Sequence, residues 1–132
     1  MRVLPTVEEW RTLLDGGALD GALAWLYGAA DTERQRARYA ALLDHFSARF
    51  DGAQKAFLLS APGRTELCGN HTDHQRGRVL AAAVAADCVA VAAPNGTMRV
   101  ALESEGYAPV ALSLAQLGPA PEEKNSPAGS GK

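Results

Sequence analysis

Residues 61–77 read Ala61-Pro62-Gly63-Arg64-Thr65-Glu66-Leu67-Cys68-Gly69-Asn70-His71-Thr72-Asp73-His74-Gln75-Arg76-Gly77, and their place between two apolar runs decides how the rest of the chain is read. Before them, Phe57, Leu58 and Leu59 open a short apolar run that Pro62-Gly63 is expected to terminate, as a strand running into a loop. After them, Arg78 to Ala85 and Cys88 to Ala93 read as two further strands joined near Asp87. The segment thus sets polar and ionisable groups between apolar strands, and its three glycines let the backbone bend sharply. Loops held by strands on both sides are where ligand-contacting groups project.

Upstream the periodicity is helical. Thr6 stands three residues before Glu9 in a capping-box arrangement, Trp10, Leu13 and Leu14 follow at helical spacing, and Gly16-Gly17 stops the run. Leu19, Leu23, Leu26 and Tyr27 continue a second short helix closed by Gly28. Asp31 or Thr32 caps a third, with Tyr39, Leu42, Leu43 and Phe46 on one face and Asp51-Gly52 at its end. Downstream, Pro94-Asn95-Gly96 reads as a hairpin turn into Met98, Val100 and Leu102, and Val110, Leu112 and Leu114 alternate again.

Helices followed by strands predict an α+β fold: a helical amino-terminal lead-in over residues 6–50, then a mostly antiparallel β meander over residues 55–115. Arg64 to Gly77 would be its exposed connecting loop, and Leu13, Leu23, Leu42, Leu43 and Phe46 would pack against the sheet. Residues 1–118 are expected to form one domain, and 119–132, rich in Pro, Glu, Ser, Gly and Lys, a disordered tail or severed linker.

Composition narrows the function classes. With 13 Lys+Arg against 15 Asp+Glu, the 132-residue chain has a net charge of −2 and lacks the basic balance of a nucleic-acid binder. The most apolar stretch, Val79 to Ala93, is cut by Asp87 and is too short to span a membrane. The first residues lack the apolar core of a secretion signal, and Cys68 and Cys88 alone make a poor disulfide framework. The expected compartment is the cytoplasm.

The Arg64–Gly77 segment resembles the galactokinase signature: Gly-Arg, a few residues, then Gly-Glu-His-Thr-Asp-Tyr-Asn-Gly-Gly. Here it reads Gly63-Arg64, then Gly69-Asn70-His71-Thr72-Asp73-His74-Gln75-Arg76-Gly77, followed by the Val79-Leu80 strand entry. Galactokinases belong to the GHMP kinases, and the resemblance, extending over roughly residues 5–118, implies the amino-terminal fold of that family. It implies the activity too: transfer of the ATP γ-phosphate to the anomeric hydroxyl of galactose, with Mg²⁺ travelling with ATP. Arg64 matches the arginine near the sugar 1-hydroxyl and the transferring phosphate, where fixed positive charge stabilises developing negative charge. His71 and Asp73 match sugar-binding residues, and a carboxylate can accept from two adjacent hydroxyls. Asn70 replaces the usual Glu and His74 the usual Tyr. Both changes bear on which sugar is preferred, N-acetylgalactosamine being an alternative to galactose. A non-catalytic sugar sensor that acts through a protein partner is the alternative from another class.

Competing patterns are weaker. Cys68, His71 and His74 recur every three residues, a spacing that gathers metal ligands only on a helix, which Gly69 disfavours. Gly129-Ser130-Gly131-Lys132 ends like a phosphate-binding P-loop, but Ser126 stands where that motif needs its first glycine and no strand precedes it. The serine-rich phosphate loop of GHMP kinases and the aspartate beyond it have no counterpart here. The expectation is therefore the front part of a galactokinase, binding sugar weakly, not phosphorylating it alone, and self-associating through apolar surface.

Overall fold

The computed structural model describes residues 4–69 and 76–115. Helix α1 (Val7–Asp15), helix α2 (Asp20–Tyr27), a 3₁₀ turn (Ala29–Asp31) and helix α3 (Thr32–Arg49) precede strands β1 (Phe57–Cys68), β2 (Leu80–Ala92), β3 (Arg99–Leu102) and β4 (Val110–Ser113). β1 pairs antiparallel with β2, and β3 with β4, in two separate two-stranded sheets. The fold is α+β, as read from the sequence.

The chain divides into two units, residues 1–94 and 95–132. In the first, helix α1 begins at the expected capping box. Thr6 Oγ1 accepts from the Glu9 N–H at 3.1 Å, and Glu9 Oε2 accepts from the Thr6 N–H at 2.8 Å. Thr6→Ala removes the first of these bonds and should cost about 1 kcal/mol of stability, read as a lower urea midpoint with unchanged slope.

Val7 and Leu14 on α1, Leu23 on α2, Tyr39 and Leu43 on α3, and Ala56 form the core, with Leu58, Val89 and Val91 of the hairpin packed against it. The Trp10 indole N–H donates to the Ala56 carbonyl at 2.8 Å, tying α1 to the entry of β1. Of the side chains expected inside, Leu23 and Leu43 are buried and Phe46 packs against the core. Leu42 is half-buried. Leu13 is 37% exposed, because its neighbour Leu14 takes the inward position seven residues from Val7.

Three boundaries differ from the sequence reading. Pro62-Gly63 does not end β1, which continues to Cys68, so Arg64 to Cys68 are strand rather than loop. Arg78–Ala85 and Cys88–Ala93 are not two strands: Leu80 to Ala92 run as one, because Asp87 turns inward to partners instead of marking a bend. In the second unit β3 pairs with β4 rather than with β2, so Pro94-Asn95-Gly96 is no hairpin turn. Asn95 instead accepts from the Thr97 N–H at 3.0 Å and donates to the Arg99 carbonyl at 2.9 Å, a side-chain-closed turn. No helix among the described residues is long and apolar enough to cross a membrane.

Candidate functional site

The site read from the sequence sits at the outer end of the β1–β2 hairpin. Arg64 lies in β1 opposite Ala83, its side chain is exposed, and it forms no ion pair with another described residue. A guanidinium placed this way keeps its donors available to an anionic or hydroxyl-bearing ligand. Asn70, His71 and Asp73, with His74, lie outside the described residues.

Both flanks of that segment adopt left-handed backbone. Gly69 has φ +125° and Arg76 has φ +64°. A Cβ on Gly69 would stand 2.7 Å from the Val79 Cα and Cγ1 and 2.8 Å from the Arg78 carbonyl, so only glycine lets the returning strand close against β1 here. Immediately beyond, Cys68 pairs with Leu80.

At the inner end the hairpin is fastened to the helices by a polar cluster that the sequence reading missed. The Asp87 side chain is 5% exposed. Its Oδ1 accepts from Arg38 Nη1 at 2.6 Å, and its Oδ2 accepts from Tyr27 Oη and Ser60 Oγ, each at 2.6 Å. Arg38 Nη2 also donates to the Asp87 backbone carbonyl at 3.0 Å. Tyr27 and Tyr39 hydroxyls lie 2.9 Å apart. With the Tyr27 proton committed to Asp87, Tyr39 is the donor of that pair. Burial pushes the Asp87 carboxyl upward, but Ser60, Tyr27 and Arg38 together outweigh it and hold the pKa at about 2. Burial, reinforced by Tyr27, pushes the Tyr39 phenol well above its usual range. The available signal was a lone acid inside an apolar run, two and four residues from the inward Val89 and Val91, which puts all three on one face.

The α-helix starts among the described residues are poorly suited to a nucleotide phosphate, and no cluster of His, Cys, Asp or Glu among those residues is gathered to hold a metal ion. Each α-helix carries acid in its first turn: Glu8 and Glu9 in α1, Asp20 in α2, Glu33 in α3. Such a helix start repels the phosphate that its N–H groups would otherwise hold.

A family match falls on this hairpin. The galactokinase galactose-binding signature matches residues 44–94, which take in the end of α3, both strands and the connection between them. Over 90 residues the chain is 28% identical to a galactokinase of Candida parapsilosis, covering 66% of this chain and 18% of that protein. Over 87 residues it is 29% identical to a galactokinase of Candida albicans, covering 64% and 17% respectively. The chain thus spans less than a fifth of these relatives. No solved structure matches it. The resemblance carried by Gly63-Arg64 and the Gly69–Gly77 run is borne out.

Proposed function

We propose that this chain is the galactose-binding front portion of a galactokinase-type sugar kinase, whose whole reaction is transfer of the ATP γ-phosphate to the anomeric hydroxyl of galactose. The observation that carries this reading is the galactose-binding signature, which overlies the hairpin that presents Arg64. In this reading Arg64 holds positive charge beside the sugar 1-hydroxyl, while Asn70, His71 and Asp73 exchange hydrogen bonds with the other hydroxyls. ATP and Mg²⁺ are held by parts of the protein other than the residues described above. The proposed compartment is the cytoplasm.

By itself the chain is expected to bind galactose with millimolar Kd and to show no ATP turnover. Each hydroxyl contact contributes only about 0.5–1.5 kcal/mol against water, and millimolar affinity corresponds to roughly −4 kcal/mol. Titration of galactose and N-acetylgalactosamine into ¹⁵N-labelled chain should shift the amides of Arg64 to Cys68. Arg64→Ala should weaken binding about tenfold, as expected for a hydrogen bond from a charged group. Shifts with N-acetylgalactosamine alone would reassign the sugar through Asn70 and His74. Absence of any shift with either sugar would overturn the reading.

A further inference from the structure

The outer half of the hairpin has a register that its own side chains barely specify. From Leu80 to Ala86 the second strand reads Leu-Ala-Ala-Ala-Val-Ala-Ala. A strand of small, near-identical side chains can slide by two residues and present the same surface, because register is set chiefly by which side chains are buried. The hairpin nevertheless adopts an offset pairing. Pro62 faces Asp87, yet Arg64, two residues on, faces Ala83, four residues on. Gly63 alone therefore stands against Val84, Ala85 and Ala86. An uninterrupted ladder would have set Arg64 against Ala85 and Glu66 against Ala83, again alanine for alanine.

The residue facing the start of the offset, Asp87, is held from outside the strand pair. Arg38 Nη2 donates to the Asp87 carbonyl at 3.0 Å, while the same guanidinium and the Tyr27 and Ser60 hydroxyls hold the carboxylate. Asp87 is thus fixed through both its backbone and its side chain at the point where the offset begins. Gly63 then fits the displaced strand: a Cβ there would stand 2.9 Å from Val84 Cγ2 and 3.2 Å from the Ala86 carbonyl.

We propose that Asp87 and Arg38 are a positioning pair for Arg64, locking the two-residue offset at Pro62 so that Arg64 stands opposite Ala83 rather than Ala85. A slide of two residues moves a strand by about 6–7 Å, beyond hydrogen-bond reach of any ligand held in the original place. The bearing of this lock on sugar binding rests on the function proposed above; the lock itself does not.

The test is the cross-strand backbone NOE pattern of the 132-residue chain and of an Arg38→Met/Asp87→Leu double variant, in which apolar packing replaces the charged pair. The parent chain should show one set, joining residues 64–66 to 81–83. The variant should keep the inner contacts of Phe57 with Ala92 and Leu59 with Ala90. It should also gain a second set joining Arg64 to Ala85, and the galactose-dependent shifts at Arg64 should fall at least twofold. Arg38→Lys, which cannot bridge carboxylate and carbonyl as a fork does, should double the outer set in the same way. A single, unshifted Arg64–Ala83 register in either folded variant overturns the proposal. Doubling without any galactose response in the parent chain upholds the lock and overturns only the sugar reading.

Discussion

Asp87→Ala is expected to lower the unfolding free energy by about 3 kcal/mol, since three side-chain donors lose the buried acceptor they share, at about 1 kcal/mol each. Arg38 would lose its carboxylate, Ser60 its acceptor, and the Tyr27–Tyr39 pair its terminus. The effect carries a pH signature with a definite sign. In the fold the Asp87 pKa is lowered from 3.8 to about 2. Its stabilisation is therefore complete above the unfolded value, near pH 4, and lost as pH falls toward about 2. The groups facing it are Arg38 and Tyr39 on α3, Tyr27 on α2 and Ser60 on β1, none of which changes charge in that interval. Asp31, lowered to about 2 chiefly by Arg34 and also by Gln35, titrates there too but is common to both proteins. Urea unfolding of parent and variant should show a gap that is constant above about pH 5 and narrows between about pH 4 and pH 2. A gap independent of pH would mean that packing rather than charge supplies the energy.

Gly69→Ala should be comparably damaging, but at the other end of the hairpin. At φ +125° a side chain is strained, about 1–3 kcal/mol, and the added Cβ would meet the Val79 Cα, which cannot swing aside. Overpacking contributes a similar amount, so about 3 kcal/mol is expected. The cost should appear as local opening: amides from Glu66 to Cys68 and from Leu80 to Ala82 should exchange faster, while those of α1 and α3 keep their protection. Gly28 supplies the contrast. Its φ is +90°, yet nothing lies within 4 Å of the added Cβ, so Gly28→Ala should cost only about 1 kcal/mol. Equal protection at residues 66–68 in Gly69→Ala and the parent would refute the tight-closure account.

The helical half was legible because its signals are local. The Thr6–Glu9 box, the Gly16-Gly17 stop and the spacing of Tyr39 and Leu43 need no partner to be read. The hairpin was legible in kind but not in extent. Pro62 looked like a terminus because a proline cannot donate to a ladder, yet it pairs opposite Asp87, which Arg38, on a helix 49 positions away, holds from outside the strand pair. Asp87 looked like a break for the same reason: its partners are scattered over α2, α3 and β1. Arg64 is singled out by the pattern around it, and the structure moves it from a loop to a strand. Alanine hid the rest, since a run that favours helix by propensity is here half of a long hairpin.

The Arg38 bond to the Asp87 carbonyl has a consequence for the order of folding. Hairpins commonly zip from the turn, but here zipping from the tip must cross the alanine run, whose side chains add little to the choice of register. The choice is made from the far end, after α3 has docked and brought Arg38 to Asp87. That closure spans 49 positions and carries the loop entropy of a long-range contact. The outer hairpin should therefore be among the last parts to acquire its native pairing, with mutations at Arg38 or Asp87 slowing its maturation and mutations at the tip mainly speeding its loss.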